Sequence, residues 1–227
     1  MAPYHICTYQ ESDRKTVVHL YGSSLTEHTP TTFKYLLKQP GMLLLELGMP
    51  LSLLLVSGSW LFTIMASLTL LIFLWFLIRF MWQQFLVIAL RTDLADITKT
   101  YLSVSDSCFW VAKSGGQVVG IVGTLPVKNL PPGKKQLQLF HLAVDMEHRG
   151  MGMAKALVRT VLQFARHQGC SEVLVETTLI QYHAQALYQG MGFQKTGHYF
   201  ANMFWKLAGI PMIKFMHHLP SAQDGSL

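Results

Sequence analysis

Strand-like and helical segments alternating around a glycine-rich turn predict an α/β (α+β) fold, and a long apolar insert interrupts it. Three observations carry this expectation. An apolar run, Leu137 to Val144, leads through Met146–Met153 (M-E-H-R-G-M-G-M) into a helical pattern. Strand-like and helical stretches then continue to alternate beyond it. Far upstream, Met42 to Ile78 is almost wholly apolar, with Glu46 its only charge.

Taken along the chain, Ile6 to Tyr9 is a short alternating start, and Asp13 is placed to cap the helix that follows it. The apolar run comes next. It exceeds any buried core helix and clears the length needed for a membrane segment. It follows a polar leader, which is too late for a cleaved secretory signal. Charged residues make up 13% of the chain, well under the ~25% of soluble domains. Ser57-Gly58-Ser59 offers a midpoint and Pro50 another break, so a hairpin or re-entrant insert with arms of ~17–20 residues is expected, although hydropathy alone would also read as a single span. Lys34 and Lys38 before it and Arg79 and Arg91 after it nearly balance, so they do not set an orientation.

Beyond the insert, Phe109–Lys113 and Gln117–Thr124 are strand-like runs joined by Ser114-Gly115-Gly116, a hairpin signal. Ala154 to Gln168 places Leu157, Val158, Val161, Leu162 and Ala165 at helical spacing, with Gly169 as a stop. Cys170 to Thr177 reads as a buried strand. A second helix runs from about Ile180 to Gln189 and breaks at Gly190 and Gly192. The aromatic, Met-rich stretch from Tyr199 to Phe215 either completes the sheet or lies against a bilayer.

The turn itself suggests anion binding. Gly150 and Gly152 remove side chains where a helix begins, so backbone N–H groups approach an anion closely. The helix dipole favours negative charge there, and Arg149 adds a cation. An ordinary strand-to-helix connection would share these features; the downstream sequence decides between them.

Arg149, Gly152 and Ala154 spell R-x-x-G-x-A, and Ala186-Leu187-Tyr188 followed by Gly192-Phe193 spell A-L-Y-x-x-x-G-F. This ordered pair, with a strand before it and a helix and strand between, resembles the GNAT superfamily of acetyl-CoA-dependent N-acetyltransferases. The resemblance implies a mixed, mostly antiparallel sheet flanked by helices. The opening M-A-P-Y-H-I, D-I-T-K-T-Y-L-S (Asp96–Ser103), L-Q-L-F-H-L (Leu137–Leu142) and K-A-L-V-R-T-V-L-Q-F-A-R (Lys155–Arg166) narrow it. The chain resembles the camello-like N-acetyltransferases, a group that includes the cysteine S-conjugate N-acetyltransferase of kidney and liver. Residues 1–41 are then the first strand and helices of the acetyltransferase domain, 42–90 the membrane segment, 91–220 the main domain and 221–227 a tail. Because both flanks belong to one domain, an odd number of crossings would separate them.

The resemblance further implies acetyl-CoA as co-substrate and an endoplasmic reticulum (or ER-Golgi) membrane location. Known activities of the group are acetylation of cysteine S-conjugates and of protein lysines, histone included, with roles in cell adhesion during gastrulation. An inactive CoA-binding membrane adaptor is a third reading. In the family pattern, backbone N–H groups of Arg149, Gly150, Met151, Gly152, Met153 and Ala154 hold the pyrophosphate. The strand Phe140 to Val144 pairs with pantetheine, and an N–H near Leu142 polarises the thioester carbonyl. Tyr188 matches the family tyrosine that protonates the CoA sulfur; a phenol, with ordinary pKa about 10, keeps its proton at neutral pH. Gln181 stands where the family often has an asparagine that contacts CoA. Two base candidates remain, His141 in the cofactor strand and Glu176 at the end of the next one. An α-amine titrating around 8 needs less help than a lysine at ~10.4, so the absence of an obvious carboxylate base favours the α-amine acceptor.

The net charge of +6 is spread out. Lys128, Lys134 and Lys135 flank Pro131-Pro132-Gly133 and suit an anionic acceptor or a lipid surface, and no dense basic helix argues for nucleic acid. Cys7, Cys108 and Cys170 lack metal or disulfide spacing and read as buried thiols facing a reducing cytosol. No metal is expected, and His217-His218 reads as an exposed pair without a metal role.

Overall fold

The computed structural model describes residues 4–128, 130–131 and 133–220. It divides into two compact units, one of Met1–Ser24 with Ile88–Leu227 and the other of Leu25–Val87. The second takes in, besides the apolar insert, the helix α2 (Thr29–Leu37).

The first unit is built on seven strands: β1 (His5–Thr8), β2 (Cys108–Ser114), β3 (Gln117–Pro126), β4 (Gln136–Val144), β5 (Glu172–Thr178), β6 (Gln194–Tyr199) and β7 (Met212–His218). Their order across the sheet is β1-β2-β3-β4-β5-β7-β6, and only the β4–β5 pair is parallel. The aromatic, Met-rich stretch that starts at Tyr199 therefore runs into the sheet, with β7 between β5 and β6. The β2–β3 hairpin turns through Gly115 and Gly116, both with positive φ, as its sequence requires. Asp13 lies in a one-turn 3-10 helix (Glu11–Asp13) ahead of α1 (Arg14–Thr26), where its carboxylate accepts the Gln10 N–H at 3.1 Å and pairs with Lys113 at 2.8 Å.

Each face of the sheet has its own core. On one, α5 (Met153–His167) lays Leu157, Val158, Val161, Leu162 and Ala165 over Ala112, Val119, Leu137, Leu139, Val173 and Val175. These are the apolar positions that its spacing marked. On the other, Val17 and Leu20 of α1 join Leu94, Ile97 and Tyr101 over Phe109, Val111, Ile121 and Ala143. Two shorter helices, α6 (Tyr182–Gly190) and α7 (Met203–Leu207), follow β5 and β6.

The second unit holds α2, α3 (Pro40–Ser57) and most of α4 (Trp60–Arg91). Gly58 ends α3 in the left-handed conformation, its N–H on the Leu54 carbonyl at 2.8 Å, and α4 begins two residues on. Pro50 sits inside α3 without ending it. Both helices are long and apolar enough to cross a membrane by length and composition. Leu44, Leu47, Leu55, Leu61 and Phe73 stand exposed along them, and α3 buries no residue. Lower on α4, Trp82 is buried and donates to Thr32 Oγ1 at 2.9 Å.

Candidate active site

The parallel pairing of β4 with β5 stops early. Gln136 to Leu139 are matched with Glu172 to Val175, and the registered pairing goes no further. From Phe140 to Val144, β4 has no registered partner on that side among the described residues, so its main chain there, apart from the Val144 carbonyl, is available for a ligand to pair with. On the opposite side, registration passes from Gly123↔Phe140 to Ile121↔Ala143. His141 and Leu142 thus share the space opposite Val122, a β-bulge in which His141 has φ of 54°. A left-handed histidine in a strand is strained by ~1–2 kcal/mol. The bulge separates the two side chains. Leu142 packs against the α5 core, while the His141 ring lies edge-on to Tyr21 of α1, 4.5 Å between centroids.

Beyond Val144 the chain makes a 3-10 turn (Met146–His148) and enters α5 through Gly150 (φ 79°) and Gly152 (φ 77°). A Cβ built at either glycine would meet nothing within 4 Å. A side chain there would point into open space, so it is the positive φ that favours glycine at both positions. Arg149 does more than supply charge: its Nε donates to the Val144 carbonyl at 3.0 Å and ties the turn to the end of β4. The Arg149 amide bonds the Met146 carbonyl at 3.4 Å and the Ala156 amide the Gly152 carbonyl at 3.0 Å; the amides of the first turn of α5 lie between them, where a helix has no carbonyl of its own to offer. Met153 is buried beneath the turn and Met151 is exposed.

Tyr188 is buried on α6 in the same core as Leu139, Val144, Met153 and Val175, with its ring against Phe193 and Phe215. Burial pushes its phenol well above the ordinary range, so it holds its proton. Gln181 caps α6 from the preceding turn. Its Oε1 accepts from the Thr177 hydroxyl at 2.8 Å and the Thr178 N–H at 2.9 Å, so this oxygen organises the β5–α6 connection.

The two base candidates have different surroundings. Glu176 accepts the Tyr199 hydroxyl at 2.7 Å and lies 3.6 Å from Lys214 Nζ, which sits over the Tyr199 ring. His141 pairs through Nε2 with Asp93, and Asp93 also accepts the Tyr101 hydroxyl. Burial alone would raise the Asp93 carboxyl, but the His141 contact and the Tyr101 and Thr92 hydroxyls outweigh it and hold it at about 2. His141 Nδ1 is buried without a hydrogen-bond partner among the described residues. Sequence reasoning missed Asp93. Tyr101 lay within the D-I-T-K-T-Y-L-S motif without an assigned role, and nothing in the order of residues connects either to His141.

Lys135 is taken up by Asp106 at 2.7 Å, and Asn129 and Pro132 of the same loop lie outside the described residues. The three cysteines are free, and burial raises the Cys108 and Cys170 thiols, which keeps them neutral. His217 is half-buried against Phe193 rather than exposed, and His218 pairs with Glu172. No group of His, Cys, Asp or Glu placed to hold a metal occurs among the described residues.

A splayed β4–β5 pair, a bulged cofactor strand and an open glycine turn at a helix start define an acetyl-CoA-dependent acetyltransferase. The Acetyltransferase (GNAT) family matches residues 74–193. The chain is 57% identical to N-acetyltransferase 8B of Homo sapiens over the full length of both, and 56% identical to N-acetyltransferase 8F1 of Rattus norvegicus, covering 98% of this chain and all of the relative. It belongs to the GNAT family of acetyltransferases, in the camello-like N-acetyltransferase 8 group. A crystal structure of a GNAT-family acetyltransferase from Staphylococcus aureus shares the fold at a TM-score of 0.56 and 15% identity, covering 96% of this chain and 99% of that one.

Proposed function

We propose that the chain, anchored in the endoplasmic reticulum membrane, transfers acetyl from acetyl-CoA to the α-amine of cysteine S-conjugates. The observation that carries the choice of acceptor is the state of the two bases. The Glu176 carboxylate is engaged by Tyr199 and Lys214, whereas His141 keeps a ring nitrogen without a partner among the described residues. A free α-amine, near 8, gives up its proton far more readily than a lysine, near 10.4, and so asks less of a single base.

In this reading the residues divide the chemistry as follows. Backbone donors from Gly150 to Ala154 take the pyrophosphate, the Arg149 amide being held by the Met146 carbonyl at 3.4 Å. The main chain from Phe140 to Val144 aligns the pantetheine arm, and the Leu142 N–H polarises the thioester carbonyl. His141 removes the proton of the attacking amine as the N–C bond forms. Tyr188 gives its proton to the sulfur as the C–S bond breaks.

Incubating the detergent-purified chain with labelled acetyl-CoA, S-benzylcysteine and a lysine-containing peptide tests the assignment. Label on the α-amine of the conjugate is expected. Label on lysine alone would move the function to protein acetylation, and binding of CoA without turnover would leave an adaptor.

A further inference from the structure

We infer that Asp93 is a positioning residue of the reaction, holding His141 in the tautomer that leaves Nδ1 as the proton acceptor; this rests on the reading of His141 as the base. Asp93 lies just past α4, far from the cofactor strand in sequence, yet its carboxylate meets Nε2 of His141. An ionised carboxylate only accepts, so Nε2 carries a hydrogen, and in the neutral ring that acts as a base Nδ1 carries the lone pair. Nδ1 is then a buried acceptor with no donor among the described residues. Such a group calls for a partner, and an acceptor amine or a water it activates has the required N–H or O–H.

The surroundings make the arrangement rigid. Tyr101, fully buried, donates to the same carboxylate, and Thr92 Oγ1 lies 3.0 Å from its other oxygen. Tyr21 closes over the imidazole edge-on. The bulge that strains His141 also turns it away from Leu142, toward Asp93. A histidine needed only for packing would require neither the strained backbone nor an anion fixing one of its nitrogens. With Nε2 tied, the ring neither flips nor changes tautomer between turnovers, and an orienting carboxylate of this kind contributes orders of magnitude to rate where it has been removed.

The test is ¹⁵N NMR of the full chain labelled at histidine in detergent micelles, together with kinetics. Wild-type His141 is expected as the Nε2–H tautomer. Asp93→Asn is expected to mix or invert the tautomer and to lower kcat by about tenfold or more, with KM for acetyl-CoA within about threefold. Tyr101→Phe, which leaves the carboxylate in place, should keep the tautomer and lose less activity. A wild-type Nδ1–H tautomer overturns the inference without any variant, even if Asp93→Asn does not fold. So does an Asp93→Asn enzyme with wild-type kcat beside an inactive His141→Gln. Full activity of His141→Gln instead removes the base assignment itself.

Discussion

At the scale of single residues, the cofactor turn depends on conformation rather than on packing. Gly152 has positive φ and empty space around it, so Gly152→Ala meets no steric clash but places a Cβ in the left-handed region. The cost should be about 1 kcal/mol of stability, and CoA binding by calorimetry should weaken about tenfold as the turn relaxes. Tyr188→Phe keeps the ring packed on Phe193 and Phe215 and removes only the proton donor. It is expected to lower kcat by about 10²-fold or more while the melting temperature barely moves; unchanged kcat would assign the proton to another donor. Asp93 also links stability to pH. Its folded pKa of about 2 lies below its ordinary value of 3.8, so its contribution is complete above about 4 and disappears as pH falls through 2. The stability gap between wild type and Asp93→Asn, measured by denaturant unfolding, should therefore be wide at pH 7 and narrow steadily below pH 4.

At the scale of elements, β3 has to run close beneath the Asp93 cluster. A Cβ at Gly123 would come within 2.8 Å of both Tyr101 and Phe109, two fully buried rings with nowhere to move. Gly123→Ala should thus cost about 1–3 kcal/mol and displace Tyr101 from Asp93, lowering kcat more than CoA affinity; an unchanged melting temperature would mean that the rings yield. This constraint was not legible in the sequence, and the reason is general to the site. Local signals found what is local: the α5 stripe from Leu157 to Ala165, the Gly115-Gly116 hairpin, the Gly150 and Gly152 turn and the Gly58 break. The ends of β2 to β5, α5 and α6 moved by only a residue or two, whereas α4, at 32 residues, far exceeds the arm of ~17–20 expected of the insert. The extent of β4–β5 pairing, the bulge at His141 and the Asp93 contact depend on chain segments brought together only by the sheet. Period-2 alternation marks a strand but does not say where its neighbour diverges. Gln181 shows the same limit. Its place in the motif was visible, but its use of Oε1 to hold Thr177 and Thr178 was not.

At the scale of the whole molecule, the insert and the sheet constrain each other. β1 precedes the apolar helices and β2 follows them, yet His5 to Thr8 pair with Lys113 to Trp110 in one antiparallel ladder. Residues joined by that ladder share one compartment. If the apolar helices enter a bilayer, the number of crossings is even, and Gly58 supplies the turn for two. The lengths agree with this. At 1.5 Å per residue, α3 spans about 27 Å and the uncharged part of α4 from Trp60 to Ile78 about 28 Å, close to the ~30 Å of a hydrocarbon core. A single span would leave β1 across the membrane from its partner, and β2 with an open edge. Tags at both termini of the full chain in sealed microsomes should therefore be cleaved together by external protease. Cleavage of one tag with protection of the other would mean that the β1–β2 ladder does not form in the membrane. Protection of both would keep the hairpin but place the acetyltransferase unit in the lumen, where free Cys7 and Cys108 would face an oxidising compartment.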